Sequence, residues 1–261
     1  MSGRSDWNPE SYARFGDLRL RPALDLLAQV GALPEGDVVD LCCGNGAAGS
    51  ELSARFAGRR ILGLDASPAM LKAARARGAY DRLIEGDAAA WQAKAPVALV
   101  FSNAALHWLS DHAVLMPHLA GQIAPGGTLA VQMPRQSGAP SHRFLRDFAA
   151  EMFPDRFDPA AWKAPVAAPV EYHRMLTGLG QVNVWETDYV HRLEPVPDGH
   201  PVRRFTEATA MRPYLDKLSP AEARDFAQRY ETALAAAYPI EPDGSVLFPF
   251  RRLFFTLVIG G

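Results

Sequence analysis

Residues 38–52, VVDLCCGNGAAGSEL, join a short apolar run to a glycine-rich turn and then to a helix-like pattern. The apolar run carries an acid, Asp40, close to its end. A buried strand, a glycine turn and a helix in this order are typical of the ligand-binding loop of a parallel α/β sheet. The stretch therefore predicts a fold class and the place where a ligand binds.

The two cysteines of the chain, Cys42 and Cys43, lie side by side in this turn. Neighbouring residues on a strand face opposite sides of the sheet, so a disulfide between them would be strained. The C-x-x-C spacing of a metal site is absent, and the seven histidines are scattered. We expect two free thiols that fill space beside the loop, and no metal.

Composition limits the class of protein. The chain has 261 residues, 48% of them hydrophobic and 21% charged, with a net charge of −2. These values are typical of a globular protein, here predicted as a single domain over 1–261. The chain has no long basic run that would indicate nucleic-acid binding, and its apolar runs are too short to span a membrane. The polar start, without a signal-peptide core, and the few cysteines favour the cytoplasm.

Short apolar runs bounded by turn residues alternate with helix patterns through the first 190 residues. Ser67 and Pro68 mark one helix start, as N-cap and first helical residue. This alternation predicts an α/β fold, with a mostly parallel sheet and helices on both faces. The predicted strands are 37–42, 59–65, 81–87, 97–103 and 127–134.

The pattern changes after the sixth predicted strand, 181–191. Residues 195–240 are helical, and one helix opens with a capping box from Ser219 to Glu222. Strand composition returns over 246–259, while the proline-rich stretch 154–170 reads as a loop. We expect 195–240 to be a helical cap inserted before the last strand, above the strand ends.

Two nucleotide-binding interpretations compete for the glycine turn. GNGAAG (44–49) matches the dinucleotide fingerprint G-x-G-x-x-G, and Asp65 follows Gly44 by 21 residues. Alternatively, an S-adenosylmethionine loop needs an acid at the end of each of the first three strands, and Asp40, Asp65 and Asp87 fill those positions. The absence of a Tyr-x-x-x-Lys relay disfavours a short-chain dehydrogenase. An NAD-dependent oxidoreductase stays as a distant alternative.

Motifs along almost the whole chain resemble those of the trans-aconitate 2-methyltransferase family. The resemblance implies a Rossmann-like class I methyltransferase fold with seven strands. It implies transfer of a methyl group from S-adenosylmethionine to a carboxylate of trans-aconitate, giving the monomethyl ester and S-adenosylhomocysteine. The alternative acceptor is another small-molecule acid or a hydroxyl. A non-catalytic binding protein is a third hypothesis. The motifs are SDWNPESYARF, RLRPALDLLAQV, DLCCGNG, LGLDASPAML, SNAALHWLSDH, LAVQMP, ATAMRPYL, AAAYPIEPDG and RRLFF.

The resemblance assigns the cofactor to the ends of the first four strands. Asp65 is expected to bind the ribose hydroxyls, Asp87 with Ala88 the adenine, and Asn103 the methionine ammonium. Cys42 stands where the family usually has glycine, and a Cβ interferes there if the backbone needs a positive φ. The full predicted set is Asp40, Cys42, Gly44, Gly46, Asp65, Ala66, Asp87, Ala88 and Asn103.

A substrate with several carboxylates requires several cations, and the planar fork of arginine suits a carboxylate. Because a carboxylate is ionised at pH 7, no catalytic base is predicted, although His107 and Trp108 are candidates for positioning. An N-terminal helical cover, 1–32, is expected over the cofactor, and the oligomeric state is left open. The predicted substrate residues are Trp7, Tyr12, Arg21, Trp108, Arg212 and Arg252.

Overall fold

The computed structural model of the chain describes residues 16–207 and 209–260. Within them, seven strands form one sheet in the order β3-β2-β1-β4-β5-β7-β6. The strands are β1 (Val38–Leu41), β2 (Ile61–Asp65), β3 (Arg82–Glu85), β4 (Val97–Asn103), β5 (Ile123–Pro134), β6 (Gly180–Leu193) and β7 (Val246–Ile259).

The α-helices of the described residues lie between these strands and before β1. Three short 3-10 turns, Leu106–Trp108, Pro159–Ala161 and Thr177–Leu179, complete the connections. The helices are α1 (Gly16–Ala28), α2 (Gly49–Arg55), α3 (Pro68–Arg77), α4 (His112–Ala120), α5 (Pro140–Met152), α6 (Pro169–Leu176), α7 (Pro201–Glu207), α8 (Arg212–Leu215) and α9 (Pro220–Ala237).

The strands that carry the predicted ligand site run parallel. β1 pairs with β2 and β4, β2 with β3, and β4 with β5, each in parallel register. All four residues of β1 are buried, as expected for a strand covered on both faces. Asp65 and Asn103 are the last residues of their strands, and Asp40 is the last but one of its own. The predicted mostly parallel α/β sheet is confirmed.

The chain divides into two compact units, and the first contains the parallel strands. Of the described residues, it comprises 16–134, Ala167–Thr187 and 253–260. Its core consists of apolar strand residues such as Val39, Val100 and Leu129. The predicted start of α3 is confirmed, because the Ser67 hydroxyl accepts a hydrogen bond from the Met70 amide at 3.2 Å.

The second unit comprises Arg135–Val166 and Asp188–Arg252. Here α9 packs against α5 and α7. The predicted capping box is present: the Ser219 amide donates to the Glu222 carboxylate at 2.8 Å, and the Ser219 hydroxyl accepts from the Glu222 amide. The helices predicted within 195–240 are α7, α8 and α9. The sequence analysis did not predict α5, which packs against both α7 and α9.

Several predictions of organisation stay predictions. The division into two units does not test whether residues 1–261 form a single domain, or whether 195–240 caps the strand ends. Of the N-terminal cover, α1 is described, whereas Trp7 and Tyr12 lie outside the described residues. The stretch 154–170 is mostly irregular, as predicted, but α6 already begins at Pro169. Among the described residues, no helix combines the length and hydropathy needed to cross a bilayer.

Candidate active site

The glycine turn after β1 adopts a conformation that side chains rarely allow. Gly44 and Gly46 have φ of 57° and 77°, in the left-handed region that favours glycine. The Cys43 amide donates to the Leu64 carbonyl at 2.9 Å, which attaches the turn to β2. The Gly46 amide donates to the Cys43 carbonyl at 2.9 Å and closes the turn. The loop therefore has a fixed shape at the carboxyl edge of the sheet.

Asp65 connects the glycine turn to the start of α3. Its Oδ2 accepts a hydrogen bond from the Gly44 amide at 2.8 Å, and its Oδ1 accepts one from the Ser67 amide at 2.9 Å. A carboxylate offers about four acceptor positions, so these two bonds are compatible with further donors from a ligand. Asp65 is half-buried at the end of β2, which fixes the carboxylate and still leaves it partly accessible.

Asp40 is the buried acid of the site. Its side chain is only 3% exposed, and the Tyr80 hydroxyl donates to its Oδ2 at 2.6 Å. Burial is the main cause that raises the pKa of Asp40 to about 7; Asp65 adds to the rise and the Tyr80 hydrogen bond opposes it. A nearby cation would favour the ionised form, so this position suits a positively charged ligand group.

The remaining predicted cofactor residues follow β3 and β4 or adjoin β2. Asp87 is exposed, and its Oδ1 accepts from the Ala89 amide at 2.9 Å, which holds a short turn around the buried Ala88. Ala66 is exposed beside Asp65. Asn103 is half-buried at the end of β4, and the next residue, Ala104, has a φ of 54°. The parallel register of β1, β2 and β4 brings their ends to one edge of the sheet, as predicted.

His107 and Trp108 lie on the 3-10 turn that follows β4. Their ring centroids are 4.8 Å apart, and Trp108 is 38% exposed. A large aromatic side chain exposed beside a strand end is suited to form the wall of a binding site. Their predicted positioning role stays a prediction.

Cys42 combines the conformation of a glycine with a side chain. Its φ is 58°, in the left-handed region that favours glycine. Both cysteines are free thiols, and Cys43 is buried. Burial is the main cause that raises the pKa of the Cys42 thiol to about 12, so at pH 7 it is neutral and poorly nucleophilic.

Replacing Cys42 with glycine is expected to retain the affinity for S-adenosylhomocysteine or to strengthen it slightly. A left-handed residue with a Cβ costs about 1 kcal/mol, and glycine removes this strain. Calorimetric titration measures the affinity. The matched control is Cys43→Gly, which removes a buried thiol at an ordinary φ and should lower the melting temperature instead. A Cys42→Gly variant that binds more than about threefold weaker would show that the thiol itself contributes.

The three predicted arginines lie in different surroundings. Arg21 is exposed on α1, with its Nε 3.9 Å from the Asp25 carboxylate one turn away, an arrangement typical of a helix surface. Arg212 is half-buried at the first position of α8. Arg252 is 3% exposed on β7. Arg212 and Arg252 belong to the second unit, whereas Arg21 belongs to the first.

Arg252 belongs to a group of polar side chains around the ring of Phe250. Its guanidinium carbon lies 4.8 Å from the ring centroid. The imidazoles of His191 and His142 lie at 5.8 and 6.2 Å from the same ring. Burial lowers the pKa of His142 to about 4, so its imidazole is neutral at pH 7. One guanidinium and two imidazoles thus lie around one aromatic ring.

Sequence reasoning missed three of these residues. Tyr80 lies 40 positions from Asp40 in the chain, in a segment with no motif. His191 and His142 are single histidines, a type that is more often a structural residue than a ligand-binding one. The structure places His191 and Arg252 on the buried side of alternating stretches of β6 and β7.

Comparison with known proteins bears on the fold and the family of the chain. A family model described as a methyltransferase domain matches residues 38–127, from β1 into β5. A solved structure of the YcgJ protein from Bacillus subtilis has a TM-score of 0.58 at 13% identity, covering 92% of this chain and 99% of that one. A structure of Haemonchus contortus phosphoethanolamine N-methyltransferase 2 with S-adenosylhomocysteine has a TM-score of 0.53 at 17% identity, covering 92% of this chain and 53% of that one. These likenesses establish the fold.

The family follows from a similarity in sequence over almost the full length. A trans-aconitate 2-methyltransferase from Methylobacterium nodulans is 44% identical over 254 residues, which cover 96% of this chain and 97% of that relative. The predicted resemblance is confirmed. The chain belongs to the trans-aconitate 2-methyltransferase family of class I S-adenosylmethionine-dependent methyltransferases.

Proposed function

We propose that this chain transfers the methyl group of S-adenosylmethionine to a carboxylate of a small polycarboxylic acid, with trans-aconitate as the preferred acceptor. The products are the monomethyl ester and S-adenosylhomocysteine. The observation that carries the proposal is the pair of acids, Asp40 and Asp65, held by one glycine turn at the carboxyl edge of a parallel sheet. The name of the Methylobacterium nodulans relative supports the choice of acceptor.

The groups at this edge fit the proposed cofactor. Asp65 is assigned to the two ribose hydroxyls, because its carboxylate is fixed by two backbone amides and partly accessible. The turn that carries Asp87 and Ala88 is assigned to the adenine, through a carboxylate and backbone groups. Asp40 and Asn103 are assigned to the positively charged methionine end. A Cβ on Gly44 would have no atom within 4 Å, which agrees with space beside the turn for a ligand.

The bound cofactor supplies a methyl group on a sulfonium, which makes that methyl electrophilic. A carboxylate acceptor is already ionised at neutral pH, so no residue of the chain has to remove a proton. The chain instead holds the two reactants in line and keeps water away from them. Trp108, with its ring beside His107, is proposed as an apolar wall for this purpose.

Arg252 and Arg212 are proposed to bind the carboxylates that are not methylated. Arg252 is buried, and a guanidinium with little access to water binds a carboxylate more strongly than an exposed one. His191 lies near the same aromatic ring and adds a hydrogen-bonding group. Arg21, exposed on α1 with its Nε 3.9 Å from the Asp25 carboxylate, stays a predicted substrate residue. We place the reaction in the cytoplasm, where a reducing environment preserves free thiols such as Cys42 and Cys43.

A methyl-transfer assay tests this proposal. The purified protein is incubated with labelled S-adenosylmethionine and a panel of small acids: trans-aconitate, cis-aconitate, citrate, succinate, acetate and a hydroxyl acceptor without a carboxylate. Mass spectrometry identifies the product. We expect a monomethyl ester with the highest kcat/KM for trans-aconitate and none from the alcohol.

Calorimetry provides the matching control for the cofactor. S-adenosylhomocysteine is expected to bind with a stoichiometry of one, and NAD is expected not to bind. Binding of NAD alone would favour the oxidoreductase hypothesis. Binding of S-adenosylhomocysteine without turnover of any acid would leave a binding protein of the same fold.

A further inference from the structure

We propose that Tyr80 is a positioning residue that sets the glycine turn and the Asp40 carboxylate for the cofactor. This inference rests on the proposed cofactor site and adds to it a residue from the connection between α3 and β3. Two contacts of one side chain carry it: the ring fills a space left by three glycines, and the hydroxyl bonds to the buried acid.

The ring of Tyr80 packs where side chains at three glycine positions would stand. A Cβ added to Gly49 would lie 2.7 Å from Tyr80 Cζ. A Cβ on Gly46 would lie 3.0 Å from Cε2, and one on Gly63 would lie 3.0 Å from Cδ1. These glycines belong to the turn, the start of α2 and the middle of β2. The absence of side chains at these positions therefore makes room for the Tyr80 ring. It also permits the backbone conformation of the turn.

The hydroxyl of the same side chain fixes the acid. It donates to Asp40 Oδ2 at 2.6 Å, and the carboxylate that accepts this bond is buried, which strengthens it. Because the ring is held between the glycines, the direction of the O–H group is set by packing, and the orientation of the carboxylate follows from it. Tyr80 thus joins β1, β2 and the turn that the cofactor is proposed to meet.

The charges around Asp40 make this bond important near neutral pH. Burial and the carboxylate of Asp65 disfavour its ionised form, while the Tyr80 hydroxyl favours it. The neighbouring thiols of Cys42 and Cys43 are neutral at pH 7, since burial and the nearby acids raise the pKa of each. Burial and the Asp40 carboxylate raise the pKa of Tyr80, and Arg77 on α3 opposes this rise. Loss of the hydroxyl should therefore raise the pKa of Asp40 and reduce the fraction of carboxylate available to a positively charged ligand.

The test is Tyr80→Phe, which removes the hydroxyl and keeps the ring between the glycines. The Kd of S-adenosylhomocysteine is measured by calorimetry from pH 5.5 to 9 in the parent and the variant. We expect the variant to bind about tenfold more weakly at pH 7. We also expect the midpoint of the rise in affinity with pH to move up by about one pH unit, because the carboxylate has lost a hydrogen-bond donor.

Two controls separate positioning from a general loss of structure. In an Asp40→Asn background the affinity should depend little on pH, and adding Tyr80→Phe should have no further effect. Tyr172→Phe removes another buried tyrosine hydroxyl in the same unit, one that bonds to His112, and should leave Kd and its pH dependence unchanged. The ratio of Kd at pH 6 to Kd at pH 8 is internal to each variant, so a partly misfolded preparation does not change it.

A pH profile of Tyr80→Phe that matches the parent would overturn the inference, as would an equal loss of affinity in the Asp40→Asn background. Failure of the proposed cofactor site gives a different result, since the parent itself would then bind no S-adenosylhomocysteine.

Discussion

Replacing Arg252 with glutamine is expected to raise the KM for trans-aconitate about ten- to a hundredfold, with little change in the Kd of S-adenosylhomocysteine. Hydrogen bonds to a charged group contribute about 1.5–3 kcal/mol, and about 1.4 kcal/mol corresponds to a factor of ten. Arg252 is buried on β7 beside Phe250, so water replaces its interaction with a carboxylate poorly. Initial rates over a range of trans-aconitate concentrations measure the effect.

The neighbouring arginine on the same strand is the matched control. Arg251 is exposed, and its Nε and Nη2 bond to the Asp188 carboxylate at 2.8 and 2.9 Å. Arg251→Gln should keep the parent KM, because an exposed ion pair contributes little and this one points to a surface acid. Melting temperatures of both variants show whether the loss of a buried cation has altered the fold.

Arg212→Ala is expected to act in the same direction as Arg252→Gln, and Arg252→Lys to recover only part of the loss. Lysine keeps the charge but lacks the planar fork that meets both carboxylate oxygens. If Arg212→Ala and Arg252→Gln both keep the parent KM, the proposed substrate site is wrong and only the methyltransferase class remains.

Replacing Asp65 with alanine is expected to weaken S-adenosylhomocysteine binding about ten- to a hundredfold. The substitution removes the proposed acceptor for two ribose hydroxyls, and it also leaves the amides of Gly44 and Ser67 without their shared carboxylate. Hydrogen bonds to a charged group contribute about 1.5–3 kcal/mol, which gives this range. Calorimetry at one fixed pH measures the change without any need for turnover.

Asp37→Ala tests whether the removal of any acid from this part of the fold weakens the binding of S-adenosylhomocysteine. Asp37 directly precedes β1, at the end of that strand away from the glycine turn, and bonds to exposed Arg60 at 2.7 and 2.9 Å. Its removal should leave the affinity unchanged. Asp65→Asn should bind more tightly than Asp65→Ala, because one side-chain oxygen stays available as an acceptor. An Asp65→Ala variant with parental affinity would contradict the assignment of this acid to the cofactor.

Local sequence patterns determined many of the strands and several helix starts. The strand 97–103 and the strand 246–259 were predicted with the bounds that β4 and β7 have, because continuous apolar runs between turn residues need no distant partner to be recognised. The N-cap at Ser67 and the capping box at Ser219 are likewise local, since each joins residues three positions apart. The acids at the strand ends were found in the same way.

Only the tertiary structure decided which distant residues meet. Tyr80, in the connection after α3, reaches Asp40 through a space that the glycines at 46, 49 and 63 leave open. His142 and His191 gather with Arg252 around Phe250 from a helix and two strands. The sequence by itself determined the strands, the caps and the glycine turn, whose periods and spacings lie within one element. Packing decided the contacts between elements, because nothing near a tyrosine or a histidine in the sequence indicates which distant residue its side chain will contact.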